Sequence, residues 1–164
     1  MITSLAINIE KLFTVVVYFS DVKNKIELIK LTKNLVDQEN TLPLNKHLRK
    51  LYIYFREYFN NTNKNEDIYE YIDLDDYSEF YKALYDETKK IPYGTTTTYS
   101  ALACLLGKSK AARAVGNCLA KNRYPLIIPC HRVVSKMNLG GFKYGCELKK
   151  MIIEREKVYQ ISCI

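Results

Sequence analysis

The sequence predicts an α+β protein of two domains, a small N-terminal α/β domain over residues 1–75 and a mostly helical C-terminal domain over residues 76–164. Runs rich in β-branched and aromatic residues occur in the first half, and apolar residues at helical spacing dominate the second. The charge also divides: residues 1–87 carry 11 basic and 15 acidic side chains (net −4), whereas residues 88–164 carry 14 basic and 3 acidic ones (net +11).

The N-terminal elements begin with a predicted β-hairpin. Residues 12–19 and 25–31 form its strands, because β-branched and aromatic side chains flank a polar turn at residues 20–24. After Pro43, apolar residues recur at helical spacing up to Phe59, which predicts an amphipathic helix that the asparagine-rich residues 60–63 terminate. Residues 67–74 alternate loosely and are interpreted as another strand.

Three helices are predicted next along the chain. The first runs from about Phe80 to Ile91, where Pro92-Tyr93-Gly94 breaks it. Thr98 is predicted as the N-cap of the second helix, and Gly107 as the residue that ends it. Ser109 is predicted as the N-cap of the third helix. Two short helices joined by a tight glycine turn are typical of a helix-turn-helix.

The third of these helices has an apolar stripe on one side and an unusual outer face. The inward residues are Ala111, Ala114, Val115, Cys118 and Leu119. The outer face carries basic and polar residues beside small ones, namely Lys110, Arg113, Asn117, Lys121, Ala112, Gly116 and Ala120. Small residues would allow close approach to a nucleic-acid groove, although tight packing against another helix would also use them. Their position beside lysine and arginine favours DNA.

The distribution of charge also predicts a polyanionic partner. Between Thr88 and Cys146 there are ten Lys or Arg and no Asp or Glu. Nucleic acid is the commonest partner for such a field, with anionic membranes and acidic proteins as alternatives. No apolar run reaches the roughly 18 residues of a membrane span, and no signal peptide begins the chain, so we expect a cytoplasmic protein without a membrane contact.

The five cysteines all lie in the basic half, at positions 104, 118, 130, 146 and 163. None belongs to a CxxC pair, and with only two histidines the chain offers no four-ligand zinc spacing. We therefore expect free thiols in a reducing compartment, no metal and no cofactor.

One cysteine stands apart because a histidine follows it directly, in Pro129-Cys130-His131-Arg132-Val133. The thiolate is the nucleophilic form of cysteine, and its pKa falls beside an imidazolium or a guanidinium, so His131 and Arg132 predict a lowered pKa. A cysteine after an apolar run is, in the alternative, simply a small buried hydrophobe. Catalysis would need a carboxylate behind the imidazole, and the last helix, residues 146–158, offers Glu147, Glu154 and Glu156.

The motif around Cys130 resembles the active site of the O6-alkylguanine-DNA alkyltransferases, also called methylated-DNA–protein-cysteine methyltransferases. Other segments agree in order and spacing: Ile91-Pro92-Tyr93-Gly94, Thr98-Tyr99, Lys110 to Gly116, Asn122 with Pro125, Gly140-Gly141-Phe142 and Glu156. The resemblance covers residues 78–158. It implies a ribonuclease H-like N-terminal domain and a winged-helix C-terminal domain.

The resemblance implies a single-turnover repair protein that moves the alkyl group of O6-alkylguanine irreversibly onto Cys130, with O4-alkylthymine left open as a second substrate. His131 would take the thiol proton through a water, Glu156 would orient the imidazole, and Asn122 would hold the turn before the Cys130 loop. The protein would act as a monomer on double-stranded DNA.

It also implies a set of DNA and base contacts in the minor groove. Arg113 would replace the flipped base in the duplex, Tyr99 would push the nucleotide out, and Ala112, Gly116 and Lys110 would face the groove and its phosphates. The guanine pocket would be formed by Pro125, Val133, Phe142 and Lys143.

The chain departs from the family pattern at Phe142, where many members carry a tyrosine whose hydroxyl assists the departing guanine. We expect a reduced rate, partly compensated by the cation of Lys143. The N-terminal zinc site of some members is not expected, since that half has no cysteine.

Three other functions fit parts of the same pattern. Alkyltransferase-like sensors replace the cysteine, so Cys130 argues against that class. A helix-turn-helix regulator with an incidental thiol, or a cysteine hydrolase, would not require Arg113, Asn122 and Glu156 at their positions.

Overall fold

The chain forms two compact units, Met1–Asp73 and Leu74–Ile164. The structure is a computed structural model that describes residues 1–36, 45–60 and 66–161. The assignment of DNA binding and alkyl transfer to residues 76–164 stays a prediction.

The first unit is built on a three-stranded antiparallel sheet in the order β1 (Ile2–Ile9), β2 (Phe13–Ser20) and β3 (Lys25–Thr32). The predicted hairpin is confirmed as β2 and β3. Strand β1 was not predicted, although Leu5, Ile7 and Ile9 alternate and are buried. Its turn to β2 lacks the glycine or asparagine that usually marks a hairpin. Glu10 and Lys11 take the positive φ angles of the turn instead, at 48° and 60°.

One helix, α1 (Lys46–Arg56), completes this part of the core and confirms the predicted amphipathic helix. Its predicted end at Phe59 is wrong, because α1 ends at Arg56 and Tyr58–Asn60 forms a 3₁₀ helix. The Asn45 side chain caps it by accepting hydrogen bonds from the backbone N–H groups of His47 and Leu48 at 2.8 and 3.4 Å. Its buried residues are Leu48, Leu51 and Phe55. The residues expected before it at 43–44, and the polar cluster at 61–63, lie outside the described residues.

The strand expected at residues 67–74 is wrong, because Glu66–Tyr71 forms a 3₁₀ helix. A strand would have buried residues 68, 70 and 72 on one face. Instead Ile68, Tyr71 and Ile72 are buried and Glu70 is exposed, which is a helical spacing.

The second unit begins with α2 (Glu79–Lys89), as predicted, and the chain then turns at residues 92–95. A two-residue strand, β4 (Thr97–Thr98), pairs in parallel with β5 (Val133–Val134). This pairing joins the start of the next helix to the segment that follows Cys130.

Helices α3 (Tyr99–Leu105) and α4 (Ala112–Ala120) follow, and the predicted caps have different outcomes. Thr98 caps α3, since its hydroxyl accepts from the Ala101 N–H at 3.1 Å. Gly107 terminates α3 with a φ of 67°, a conformation that glycine adopts without strain. Ser109 does not cap α4. The chain makes one more turn, and the N-cap is Ala111, which has no side-chain hydrogen bond.

The burial of α4 largely follows the predicted stripe. Val115, Cys118 and Leu119 are buried, whereas Ala114 is exposed, which corrects its assignment to the inner side. The buried stripe is therefore narrower than the pattern predicted. The last helix, α5 (Cys146–Ile161), covers the predicted range and buries Leu148, Lys149, Ile152, Ile153 and Glu156.

Candidate active site

Cys130 lies at the start of a 3₁₀ turn, Cys130–Arg132, that follows the buried apolar run 126–128. Pro129 restricts the backbone before it, and the Cys130 N–H donates to the Ile128 carbonyl at 2.7 Å. Cys130 is only 8% exposed, yet it contributes to the wall of a cavity of about 790 Å³. A small reactant inside the cavity could therefore reach it.

Asn122 fixes the loop that carries the thiol. Its amide group donates to the Ile128 carbonyl at 2.9 Å and to the Cys130 sulfur at 3.2 Å, and its carbonyl accepts from the Tyr124 N–H at 2.8 Å. The side chain is 2% exposed. One buried amide thus ties the end of α4 to both sides of the Cys130 loop.

His131 and Glu156 form a buried pair behind the loop. The His131 Nε2 atom lies 2.8 Å from Glu156 Oε1, and the two side chains are 0% and 1% exposed. Of the three carboxylates that the sequence offered, the structure brings Glu156 to the imidazole. Since Nε2 faces this carboxylate, Nδ1 is the ring nitrogen available for other contacts.

Arg132 completes the hydrogen-bond network around Glu156. It donates to both Glu156 oxygens, from Nε at 2.9 Å and from Nη2 at 3.0 Å, and to the Ile91 carbonyl from Nη1 at 2.9 Å. The Gly94 N–H also donates to Glu156, at 3.2 Å. The carboxylate therefore receives hydrogen bonds from three residues and holds the Pro92-Tyr93-Gly94 turn against α5.

These contacts set the protonation states of the pair. Burial lowers the pKa of His131 and outweighs the opposite effect of Glu156, so the imidazole is neutral near pH 7. Burial alone would raise the pKa of Glu156, but the hydrogen bonds and charges around it, with Arg132 the permanent cation, hold that pKa well below its usual range. A neutral imidazole beside an ionised carboxylate is the state in which histidine can accept a proton.

The expected lowering of the Cys130 pKa is wrong. Burial raises the pKa of the thiol and outweighs the hydrogen bond from Asn122 and the charge of Lys149. Arg132, which the sequence suggested as an activating cation, is paired with Glu156. The resting thiol is therefore protonated at neutral pH, and its activation requires a proton acceptor.

Lys149 was missed by the sequence reasoning and lies at the centre of this region. Its side chain is fully buried, and its ammonium donates to the carbonyls of Val133 at 2.6 Å and Gly141 at 3.1 Å. Burial lowers its pKa to about 8, against the opposing effects of Cys130 and Cys146. Its position one turn before Ile152 and Ile153 on the buried side of α5 was the available signal, because a lysine on a buried face is rare.

The cavity brings together eight of the predicted site residues. These are Tyr99, Ala112, Arg113, Gly116, Asn122, Cys130, Phe142 and Lys143. Pro125 and Val133 are buried outside its lining, and Lys110 is exposed in the turn before α4. The outer face of α4 thus forms one wall of the cavity, with Arg113 exposed at its edge.

Tyr99 is held in this wall by the loop that contains Gly140 and Gly141. Its hydroxyl donates to the Gly141 carbonyl at 3.3 Å, and the Lys149 ammonium lies 5.7 Å from its ring centre. Gly140 has a φ of 67°, and a Cβ there would come within 2.8 Å of the Tyr99 ring. Only glycine permits this close approach of backbone and ring.

Tyr144 is a second residue that the sequence reasoning missed. It is half-buried in the cavity wall, where its ring packs edge-on against Phe142 with centroids 5.5 Å apart. Burial raises the pKa of Tyr144 to about 12, and the proximity of Cys130 contributes to that shift. Its place two residues after Phe142 in a glycine-rich segment gave no periodic signal.

Within the ranges that the structure describes, no three His, Cys, Asp or Glu side chains lie close enough together to bind a metal ion. No helix in those ranges is both long and apolar enough to cross a membrane.

Comparison with known proteins identifies the family. Residues 79–158 match the family model described as the DNA-binding domain of 6-O-methylguanine DNA methyltransferase. A methylated-DNA–protein-cysteine methyltransferase of Sulfolobus acidocaldarius is 38% identical over 126 residues, which cover 77% of this chain and 74% of that relative. The chain belongs to the methylated-DNA–protein-cysteine methyltransferase family.

Two further members of the methylated-DNA–protein-cysteine methyltransferase family illustrate the extent of the similarity. The Methanocaldococcus vulcanius protein is 52% identical over 90 residues, and the chain spans about half the length of this relative, 55%. The solved structure of an O6-methylguanine DNA methyltransferase from Methanococcus jannaschii is 33% identical, with a TM-score of 0.64, and the match covers 94% of this chain and 93% of that one. The mixed α/β fold, with its small antiparallel sheet, is therefore that of the family.

Proposed function

We propose that this chain repairs DNA by moving the alkyl group of O6-alkylguanine onto the sulfur of Cys130, once per molecule. The observation that carries this proposal is that Cys130 lines a cavity while the next residue of its 3₁₀ turn, His131, forms a buried pair with Glu156. The names of the relatives support the same chemistry.

The reaction begins with a protonated thiol, because burial raises the pKa of Cys130. A neutral His131, oriented through Nε2 by Glu156, accepts the thiol proton through a water at Nδ1. The sulfur then attacks the alkyl carbon, a C–S bond forms, and the carbon–O6 bond breaks with its electron pair passing to the purine. The purine finally recovers one proton, so that the products are guanine and a stable thioether.

Asn122 acts in this scheme as a positioning residue for the nucleophile. Its amide holds the Cys130 sulfur at 3.2 Å and supplies a hydrogen bond that favours the thiolate. The same amide also holds the Ile128 carbonyl, so the sulfur stays aligned as its charge develops.

The substrate base must leave the DNA stack, because O6 of a stacked guanine cannot meet a thiol that is 8% exposed inside a protein wall. We infer that α4 enters the minor groove of double-stranded DNA, with Ala112 and Gly116 permitting close approach and Lys110 near phosphates. Arg113, at the cavity edge, fills the place of the flipped base, and Tyr99 displaces the nucleotide.

The guanine site is proposed between Tyr99, Phe142 and Lys143 on the cavity wall. Pro125 and the Val133 carbonyl are assigned to this site by the resemblance. The Val133 carbonyl accepts from Lys149, which orients it. O4-alkylthymine stays an open second substrate, and the protein is proposed to act as a monomer.

We also propose that the first unit is a ribonuclease H-like domain and the second a winged-helix domain. The antiparallel order β1-β2-β3 with α1, and the α3–turn–α4 pair, support these assignments.

The decisive experiment is incubation with a duplex oligonucleotide that contains one O6-methylguanine. We expect one methyl mass on the peptide that carries Cys130, no methylation in Cys130→Ser, and normal methylation in Cys104→Ser, since Cys104 is exposed on α3 outside the cavity lining. A peptide that stays unmodified in the unsubstituted protein after long incubation would contradict the proposed function.

DNA binding is tested with Arg113→Ala and a matched control, Lys23→Ala, which removes an exposed cation from the first unit. We expect Arg113→Ala to unfold at the same temperature as the unsubstituted protein but to repair DNA more slowly. Lys23→Ala should equal the unsubstituted protein in both unfolding temperature and repair rate. The affinity for DNA should fall with added salt through counterion release. Full repair speed in Arg113→Ala, or an affinity that ignores salt, would refute these contacts.

A further inference from the structure

We propose that the Tyr144 hydroxyl is a further catalytic donor, which hydrogen-bonds to O6 of the guanine as the alkyl group leaves. This inference rests on the alkyl transfer proposed above and adds a specific residue to it.

The chemistry of the leaving group creates the need for such a donor. When the carbon–O6 bond breaks, its electron pair passes to the purine and negative charge accumulates on O6. A preorganised donor at this oxygen lowers the barrier most, because the charge is absent in the starting complex. The Phe142 ring, which lines the same cavity, has no donor.

Two polar side chains of the cavity wall, those of Asn122 and Tyr99, already donate hydrogen bonds within the protein. The Asn122 amide donates to the Ile128 carbonyl and to the Cys130 sulfur. The Tyr99 hydroxyl donates to the Gly141 carbonyl. Both contacts hold the site together, and the Tyr144 hydroxyl is a further hydrogen-bond donor among the residues that line the same cavity.

Tyr144 has the position and the protonation state for this role. Its ring packs edge-on against Phe142 at 5.5 Å, so the two aromatic residues form one wall of the cavity that Cys130 shares. The Lys143 ammonium lies 5.8 Å from the Tyr144 ring centre, which favours a defined ring position. Because its pKa is raised to about 12, with Cys130 contributing, the hydroxyl keeps its proton throughout the neutral and mildly alkaline range.

The proton balance is unchanged by this contact. The thiol proton passes to His131, the C–S bond replaces the carbon–O6 bond, and the purine recovers one proton afterwards. Tyr144 keeps its own proton and only donates a hydrogen bond, so no further reactant is required.

The test is single-turnover repair of an O6-methylguanine duplex by Tyr144→Phe. Loss of one oxyanion donor slows a reaction by about 10²-fold or more, so we expect a rate reduced by roughly that factor. The dissociation constant for the duplex should stay within twofold, because Phe keeps the ring and its packing. A second variant, Phe142→Tyr in the Tyr144→Phe background, returns a hydroxyl to the same wall and should recover part of the rate.

Two controls separate leaving-group assistance from an effect on the thiol or the fold. Alkylation of Cys130 by iodoacetamide has a different leaving group, so its rate should be equal in Tyr144→Phe and in the unsubstituted protein. A substrate whose purine carries an electron-withdrawing substituent needs less help at O6, so the rate loss should shrink with it.

A repair rate in Tyr144→Phe equal to that of the unsubstituted protein would overturn the inference. An equal loss with iodoacetamide, or a double variant that recovers nothing, would overturn it as well. If the unsubstituted protein itself leaves the methyl group on the DNA, the proposed function fails, and that outcome is distinct from a failure of Tyr144 alone.

Discussion

Replacement of Glu156 by glutamine should destabilise the protein more than any surface substitution on α5. The carboxylate accepts hydrogen bonds from His131, twice from Arg132 and once from the Gly94 N–H, all between 2.8 and 3.2 Å. Glutamine offers one oxygen and a donating amide in place of two accepting oxygens. Its amide must therefore face another donor, and the Arg132 guanidinium, which is 8% exposed, loses its counter-charge.

Breaking a buried ion pair by removal of one partner costs about 3–5 kcal/mol of unfolding free energy. For a chain of this length each kcal/mol lowers the melting temperature by about 2–4 °C, so we expect Glu156→Gln to melt roughly 6–20 °C lower. The assay is urea and thermal unfolding followed by circular dichroism. The matched control is Glu154→Gln on the same helix, whose partner Lys150 lies 3.8 Å away with both side chains more than 60% exposed.

An exposed pair of this kind is worth about 0–1 kcal/mol, so the control should be nearly unchanged. The effect of Glu156→Gln should also depend on pH. Because the folded pKa of Glu156 lies below its unfolded value of about 4.3, the stabilisation is complete above that value. It is lost as the pH falls towards the folded pKa, so the two proteins should converge in strong acid. Equal stability of the Glu156→Gln and Glu154→Gln variants at pH 7 would refute this account of the buried network.

Three other predictions follow from single contacts. Because burial raises the pKa of Cys130, iodoacetamide should label it more slowly than exposed Cys104 at pH 7, and the labelling rate of Cys130 should increase above pH 9. Peptide mass spectrometry measures both rates, and faster labelling of Cys130 than of Cys104 would contradict the raised pKa. Asn122→Leu leaves two buried backbone groups, the Ile128 carbonyl and the Tyr124 N–H, without this partner, at about 1–3 kcal/mol each. Urea unfolding should show that the free energy of unfolding falls by at least about 2 kcal/mol, and a smaller decrease would contradict the structural role of the Asn122 amide. Alanine at Gly140 and at Gly107 meets the same φ of 67°, but only the first meets an aromatic ring, so its melting temperature should fall further; equal melting temperatures would refute the contact.

The elements that the sequence predicted well are those whose signal is local. The hairpin of β2 and β3, α1, α2 and the Thr98 cap of α3 depend on side-chain periodicity, branching and one capping hydroxyl. Strand β1 had a weaker signal because its turn to β2 carries no glycine. The segment 67–74 was mistaken for a strand because Ile68, Glu70 and Ile72 occupy alternate positions, although burial follows a helical spacing.

The site shows the same division between local and distant information. Cys130, His131 and Asn122 stand in a recognisable motif, and the structure brings them to one loop and one helix end. Lys149 and Tyr144 escaped notice, because Lys149 donates to carbonyl groups on another segment and Tyr144 lines a cavity that exists only in the folded chain. The predicted effect of Arg132 on the pKa of Cys130 was also wrong, since no local pattern shows that α5 places the Glu156 carboxylate beside this guanidinium.

By itself the sequence determined the mixed fold class and the family, and it singled out Cys130 as the proposed nucleophile, because each depends on residue types in a fixed order along the chain. Only the tertiary structure decided how that nucleophile is held and which form it takes at rest. Burial raises the pKa of Cys130, and the Arg132 cation forms an ion pair with Glu156. The basic residues near the thiol in the sequence therefore do not lower its pKa below the usual value. Desolvation depends on what packs around a group from every direction, and a linear sequence does not specify those neighbours.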